Sequence, residues 1–285
     1  MNFHRDPVTY VGHVRLRVKD LSRSLAFYEQ VVGFQVSGRT GTTADLTADG
    51  KTVLLTLEQP DGVLDKQGRT TGLYHFALLL PTRTDLAQFV VHLSDLNVSV
   101  GSADHLVSEA LYFSDPDGNG IEVYRDRDAS EWAWNGSEVA MATDPLNFRD
   151  LLAGVKERTW SGLPAGTVMG HIHLHVSDLR ETERFYTQGL GFEIVCRYGD
   201  QALFISSGQY HHHVGLNTWN GVGAPRPAAN SVGLASYAVV YPNAESRSKA
   251  MMNVRKIGAA VAEDAGGIAV EDPSGNRIRL LVGGK

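Results

Sequence analysis

Hydrophobic and polar residues alternate along this chain in a cycle that predicts one strand, one helix and then further strands. Residues 13–18 alternate between apolar and polar side chains, as a half-buried strand does. Residues 21–32 then place their apolar side chains at helical spacing. Asp20 is suited to cap this helix and Gly33 to end it. Two or three strands follow, through residues 52–57.

The same cycle restarts in the next part of the chain. Pro81 breaks the pattern between a second opening strand and a second helix. The predicted elements are a strand at 74–80, a helix at about 85–96, and strands near 98–100, 110–113 and 121–124. The repeating unit is therefore β-α-β-β-β.

An internal repeat extends this organisation to the whole chain. Residues 12–34 match residues 170–192 at 11 of 23 positions, with an offset of 158. Two further pairs of segments match at nearly the same offset, namely 72–81 with 233–242 and 115–121 with 272–278. Such self-similarity indicates two homologous halves, at 10–125 and 168–283, joined by a connector at 126–166. The sequence therefore predicts an α+β fold with four tandem βαβββ modules.

Composition excludes several classes of function. The 285-residue chain has a net charge of −6 and scattered basic residues, which argues against nucleic acid and anionic membranes as partners. No apolar run approaches a membrane span and no signal peptide is evident, so we expect a cytoplasmic protein. Its one cysteine, Cys196, excludes an internal disulfide framework. A small neutral or weakly polar ligand fits this composition better.

Three potential metal ligands occupy matching strand positions of the first two modules. His13 and His75 lie in the opening strands, and Glu122 lies in the closing strand of the second module. Alternation puts Glu122 on the strand face opposite to Ile121 and Val123, where it faces either solvent or a cation. If the two modules pack about a pseudo-twofold axis, we expect the three side chains to converge in one cleft. Two imidazoles and one carboxylate form the facial triad of non-haem Fe(II) oxygenases.

The second half keeps only part of this set. His171 matches His13, but Ser236 stands where His75 stood and Arg279 where Glu122 stood. Arginine cannot ligate a metal. Two groups of histidines nevertheless occur in this half, at 171, 173 and 175 and at 211–213. They could form a separate site, line the surface between the halves, or help to receive a substrate.

The motifs of both halves resemble those of a known superfamily. In each half a histidine precedes an aspartate by seven residues, as His13 precedes Asp20 and His171 precedes Asp178, and the first half closes with DPDGNGIE. This pattern resembles the vicinal oxygen chelate superfamily of glyoxalases, bleomycin resistance proteins and extradiol dioxygenases. Nearly the whole chain is similar to its Bacillus-type catechol 2,3-dioxygenase branch. The resemblance implies paired modules whose open curved sheets surround a metal cleft.

The same resemblance implies a chemistry and a set of site residues. It implies that His13, His75 and Glu122 bind Fe(II), or Mn(II) as in some relatives, and that a catechol and dioxygen react there. Tyr112 matches a tyrosine that hydrogen-bonds the bound catecholate, and His105 resembles a nearby histidine that steadies oxygen or moves a proton. The resemblance also implies a dimer or a tetramer. A glyoxalase-type isomerase or lyase and a metal-free binding protein are the alternatives.

Two departures from the family pattern concern this site. The complete triad falls in the N-terminal half, whereas two-domain extradiol enzymes carry theirs in the C-terminal half. Their acid-base histidine precedes the second metal histidine by about fifteen residues, where this chain has Pro60 and Asp61. We therefore expect His105 or a histidine of the other half to move the protons.

Overall fold

The computed structural model describes residues 2–155 and 158–284. Two βαβββ modules form in the first half of the chain, as the sequence pattern predicts. The first contains β1 (Tyr10–Arg17), α1 (Leu21–Phe27) with a π-helical turn (Tyr28–Val32), β2 (Gln35–Arg39), β3 (Thr43–Thr47) and β4 (Val53–Glu58). The second contains β5 (Gly72–Leu79), α2 (Arg83–Asp95), β6 (Gly101–Asp104), β7 (Ser108–Ser114) and β8 (Gly120–Asp126).

Two more modules follow a connector of short elements. The connector holds a 3₁₀ turn (Ala129–Glu131), β9 (Trp134–Asn135), β10 (Glu138–Val139) and α3 (Phe148–Leu152). The third module contains β11 (Val168–His175), α4 (Leu179–Arg184) with a π-helical turn (Phe185–Gly189), β12 (Glu193–Tyr198), β13 (Ala202–Ser206) and β14 (Val214–Asn217). The fourth contains β15 (Gly233–Tyr241), α5 (Ala244–Lys256), β16 (Val261–Asp264), β17 (Gly267–Glu271) and β18 (Arg277–Val282). The predicted α+β class and the four tandem modules are confirmed.

Local signals in the sequence set several of these boundaries. The Asp20 side chain accepts a hydrogen bond from the Arg23 N–H at the start of α1. Gly33, with a φ of +92°, ends the turn that follows, as predicted. The predicted position of the strand near 98–100 is wrong by a few residues. Val98 N–H still bonds to Leu93 O at the end of α2, so β6 begins only at Gly101.

Apart from β9 and β10, which pair with each other, the strands form two eight-stranded sheets, each built from one module of either half. The first sheet has the order β16-β17-β18-β15-β1-β4-β3-β2 and joins modules one and four. The second sheet has the order β12-β13-β14-β11-β5-β8-β7-β6 and joins modules two and three. At the two centres β1 pairs antiparallel with β15, and β5 pairs antiparallel with β11. The sheets therefore do not follow the two halves of the chain.

Alternation along the central strands separates the core from a cleft. In β5 and β11 the side chains of Phe76, Leu78, Ile172 and Leu174 belong to the main hydrophobic core. The intervening positions, which include His75 and the histidines of β11, point to the opposite face of the second sheet. Among the described residues no helix combines the length and apolarity that crossing a membrane requires.

Candidate metal centre

Three buried side chains of the second sheet bring potential metal ligand atoms together. His75 Nε2 and His171 Nε2 each lie 3.0 Å from Glu122 Oε2, and the two nitrogens are 3.3 Å apart. Within the described part of the chain, this is the group whose histidine and carboxylate ligand atoms all lie within 4.8 Å of one another. The structure thus brings together two residues of the predicted triad and one histidine of the second half.

Strand register explains why these three side chains meet. β5 is flanked by β8 on one side and by β11 on the other. Ala77 of β5 lies opposite Glu122 of β8 and also opposite His171 of β11. Its small side chain leaves the space in which the two larger ones approach. His75, two residues earlier on the same face, completes the group.

Burial and charge make this cluster a place for a cation. Glu122 is only 2% exposed, so the interpretation of a solvent-facing glutamate does not hold. Burial by itself would raise the pKa of Glu122, but the imidazoles of His171 and His75 outweigh it and hold that pKa well below its ordinary value. Burial lowers the pKa of His171 to about 4, although Glu122 opposes the shift. The cluster therefore holds a buried carboxylate whose ion-pair partners are imidazoles.

His13 lies outside this cluster, which corrects the predicted convergence with His75 and Glu122. It belongs to β1, at the centre of the first sheet. Its Nε2 donates to Thr56 Oγ1 at 2.9 Å, and the Thr56 hydroxyl donates to Asp45 at 2.6 Å. The reason is the exchange of modules between the sheets: β1 pairs with β15 rather than with β5.

The first sheet carries the counterpart of the cluster without its ligands. Ala238 of β15 lies opposite His13 and also opposite Arg279 of β18, as Ala77 does for His171 and Glu122. Ser236 takes the position of His75. Arg279 donates to Asp264 at the edge of the sheet. The two sheets therefore have matching strand positions, and among the described residues it is the second sheet that places two imidazoles and a carboxylate at them.

Tyr112 and His105 lie together beside the cluster. Tyr112 of β7 is opposite Glu122 in the register of β7 and β8. The Tyr112 hydroxyl and His105 Nε2 are 2.6 Å apart, and His105 Nδ1 is 2.6 Å from Ala142 O. Since a carbonyl oxygen only accepts, His105 Nδ1 carries the proton and Nε2 accepts from Tyr112. Burial, followed by the charge of Glu122, raises the pKa of Tyr112 well above its ordinary value, so the phenol is protonated.

His212, from the loop before β14, lies next to His171. Their ring centroids are 4.1 Å apart. Two hydrogen bonds in series connect the His212 imidazole to Asp126. His212 Nδ1 is 2.9 Å from His211 Nδ1, and His211 Nε2 is 2.7 Å from Asp126 Oδ1. Because the Asp126 carboxylate accepts, a neutral His211 has its proton on Nε2 and accepts at Nδ1. His212 then donates from Nδ1 and keeps an unprotonated Nε2.

The other histidines of the second half are divided between this cleft and the protein interior. His173 of β11 lies opposite His75, and its Nε2 accepts from the Asn217 side chain at 3.0 Å. Asn217 in turn accepts from His175 Nδ1 at 2.7 Å. His213 instead contacts Phe3 O at 3.0 Å, near the N-terminus. His171 and His173 therefore lie with His75 and Glu122, whereas His175 lines the neighbouring cavity.

A cavity of about 400 Å³ opens in front of the cluster. Glu122, His75, Tyr112 and His105 line it together with residues of the second half. The connector contributes a wall from residues 141–143. The membership of His171 in the cluster was not predicted, whereas the place of His212 at the cavity agrees with one of the three possibilities left open for the histidines of the second half. The sequence signal that could have identified His171 was the repeat, which matches it to the predicted metal ligand His13.

Comparison with known proteins relates the chain to one superfamily. The sequence model described as Glyoxalase/Bleomycin resistance protein/Dioxygenase superfamily matches residues 10–123 and 168–280. A relative from Bacillus subtilis (strain 168) named catechol-2,3-dioxygenase is 45% identical over 285 residues, which cover 99% of both chains.

Solved structures share the fold at low sequence identity. A protein of Bacillus subtilis subsp. subtilis str. 168 has a TM-score of 0.65 at 14% identity, covering 96% of this chain and 84% of its own. Glyoxalase I from Zea mays has a TM-score of 0.59 at 16% identity, covering 96% of this chain and 92% of its own.

Proposed function

The chain belongs to the glyoxalase, bleomycin resistance protein and dioxygenase superfamily, and we propose that it is an extradiol dioxygenase that opens the ring of a catechol. The observation that carries this proposal is the convergence of His75, Glu122 and His171 in one buried cleft. Two imidazoles and one carboxylate with open positions are typical of non-haem Fe(II) oxygenases. The 45% identical relative named catechol-2,3-dioxygenase supports the same class of reaction.

The donor set fits a divalent cation. Glu122 is buried and ionised, and its ion-pair partners among the described residues are His75 and His171, with no lysine or arginine. Such a carboxylate is costly to bury unless a cation neutralises it. We infer that His75 Nε2, His171 Nε2 and Glu122 Oε2 would hold Fe(II), or Mn(II). When bound, the ion would supply open positions for a diol and for dioxygen.

His212 is suited to take a proton from the diol. Its Nε2 is unprotonated when Nδ1 donates to His211, and the imidazole lines the cavity beside His171. This role for His212 is in line with the expectation that His105 or a histidine of the other half moves the protons. Removing one proton would leave one catecholate oxygen, which is a better ligand for a metal ion than a hydroxyl, and one hydroxyl that can donate to Tyr112.

Tyr112 and His105 are suited to orient the substrate. Because the Tyr112 hydroxyl donates to His105, its oxygen remains free to accept from a catechol hydroxyl. His105 is itself held by Ala142 O. The two side chains therefore fix one end of the diol, while His212 approaches from the opposite half of the chain.

The glyoxalase-type alternative lacks a fourth ligand. A fourth ligand would come from the strand position that contacts the histidine of an opening strand. In the first sheet this position is Thr56 of β4, which lies opposite Arg15 and contacts His13. The corresponding position in the second sheet is Gly215 of β14, opposite His173. The strand beside His171 has no carboxylate or imidazole between Val214 and Asn217. Three protein ligands leave more positions free for a diol and dioxygen.

The proposal is tested by anaerobic purification, measurement of bound metal, and addition of catechol with air. We expect about one iron per chain and a yellow ring-opened product, with both lost in Glu122→Gln. Metal without ring opening, but with isomerase activity on a thiol adduct, would favour the glyoxalase-type alternative. Neither bound metal nor turnover would leave a binding protein.

A further inference from the structure

The walls of the cavity differ sharply from the cluster at its base. We propose, on the basis of the function proposed above, that the substrate is a catechol that carries an uncharged, apolar substituent. The ring would lie at the cluster and the substituent would point toward the aromatic opening of the cavity.

The size of the cavity leaves room beyond an unsubstituted ring. Its volume of about 400 Å³ falls in the range of roughly 300–1,000 Å³ that holds drug-sized ligands. Catechol is much smaller than such ligands. A substituent is therefore needed to fill the remaining volume and to exclude water from it.

Aromatic and aliphatic side chains surround this remaining volume. Phe204 and Met141 form part of the wall, and the lining residues Tyr74, Tyr198 and Trp219 are also exposed to solvent, which indicates that they border the opening. Trp219 is 45% exposed, and its ring centroid lies 5.2 Å from that of Tyr74 in an edge-to-face arrangement. Large exposed aromatic side chains at a cavity opening offer apolar contact to a ligand.

Charge excludes the opposite class of substituent. Among the described residues that line this cavity there is no lysine or arginine. A carboxylate on the catechol ring would therefore lose its water there without gaining a cationic side chain as a partner. This loss opposes binding.

A second, basic cavity is the competing location for a substituent. It has a volume of about 660 Å³, adjoins the first at Tyr74, His75 and Tyr112, and is lined by Arg17, Lys66 and Arg69. Arg17 is already bound to Leu234 O and paired with Glu58, and Lys66 donates to Gly118 O. Glu122 and His212 do not line this cavity. A ring at the cluster therefore faces the aromatic cavity, and Arg69 becomes the residue with which to test the alternative.

The test compares catechols of similar shape and different charge. The probes are catechol, 4-isopropylcatechol, protocatechuate, and protocatechuamide as an uncharged control for electron withdrawal. Calorimetry with the iron-loaded protein under anaerobic conditions measures Kd, and addition of air measures ring opening separately. We expect 4-isopropylcatechol to bind about 10-fold more tightly than catechol. We expect protocatechuate to bind about 100-fold more weakly than 4-isopropylcatechol, with the amide between them.

Two variants locate the substituent. Trp219→Ala is expected to reduce the preference for 4-isopropylcatechol over catechol about 3- to 10-fold, whereas Arg69→Gln is expected to leave it unchanged. Tight binding of protocatechuate that is lost in Arg69→Gln would place the substituent in the basic cavity and overturn the inference. Equal affinity for all four probes would overturn it as well. Absence of ring opening with an intact binding preference would instead contradict the proposed reaction alone.

Discussion

His171 Nε2 and Glu122 Oε2 lie 3.0 Å apart, although the two residues belong to different halves of a duplicated chain. β8 and β11 approach each other only because β5 pairs with both strands. The candidate metal centre is thus assembled across the repeat. It requires modules two and three to be folded against each other.

This arrangement gives a first prediction about two histidines in equivalent positions. His171→Ala should reduce bound iron to less than about a tenth of the wild-type amount, a loss of at least about 1.4 kcal/mol in binding. His13→Ala should retain the iron, because His13 donates to Thr56 in the other sheet. Metal content after anaerobic purification and dialysis is the measurement.

The two variants serve as controls for each other, since each removes one imidazole from the central strand of a sheet. Circular dichroism should show that both are folded. Loss of iron in His13→Ala with retention in His171→Ala would contradict the centre described above and would restore the triad expected from the sequence.

Much of the fold could be predicted from the sequence because its signals are local. Alternation identifies the opening strands, Asp20 and Gly33 delimit the first helix, and the repeat extends the module to the whole chain. His75, Glu122, Tyr112 and His105 were each singled out, and the structure brings them to one cavity. These residues lie in a single module, so their proximity could be predicted without knowing which modules pair with each other.

The remaining part of the site could not be predicted because it depends on pairing between distant strands. β1, β5, β11 and β15 have similar apolar alternation, so their pattern does not specify which two strands become neighbours. With β1 beside β15, His13 leaves the cleft and His171 replaces it. The position of His212 beside His171 could not be predicted either, because it depends on the same pairing of strands.

A second prediction concerns the proton that His212 carries. Asp126→Asn can place an amide donor against His211 Nε2, which reverses both hydrogen bonds and moves the His212 proton to Nε2. A His212 whose Nε2 carries the proton cannot accept a proton from the diol. We therefore expect kcat to fall by about 100-fold, at the low end of the contribution of general acid-base catalysis. Bound iron and KM should change little.

Asp128→Asn is the matched control, because Asp128 accepts from Ser130 in the next turn and does not reach the histidines. The measurements are kcat, KM and the pH dependence of kcat. An unchanged kcat and pH profile in Asp126→Asn would show that the hydrogen bonds from Asp126 through His211 have no part in proton transfer.

A third prediction is that His13 contributes to acid lability. Burial, with a smaller contribution from Arg15, lowers the pKa of His13 from 6.5 to about 4. A histidine that is neutral when folded stabilises the protein fully above the unfolded pKa near 6.5, and this stability is lost as the pH falls toward 4. At about 1.4 kcal/mol per unit of pKa, the loss reaches at most about 3 kcal/mol.

Urea unfolding of wild type and His13→Gln at pH 7.5, 5.5 and about 4 checks this prediction. The difference in unfolding free energy, wild type minus variant, should fall as the pH decreases. Other buried histidines are present in both proteins, so their effects cancel in the difference. A constant difference across this pH range would show that His13 does not titrate abnormally.

The final prediction concerns the glycine that allows β8 to approach β5. Gly120 lies opposite His75, and a Cβ added to it would be 2.1 Å from Tyr74 O and 3.1 Å from His75 Cβ. The first atom belongs to the backbone, so Gly120→Ala must push the strands apart and cost about 1–3 kcal/mol of unfolding free energy. Glu122 lies two residues further along β8, and the displacement should therefore weaken iron binding as well.

Gly41→Ala is the control, since nothing lies within 4 Å of the added atom. Urea unfolding and metal content measure both effects, and a Gly120→Ala protein with wild-type stability and iron content would show that the close approach of these strands is not needed to build the centre.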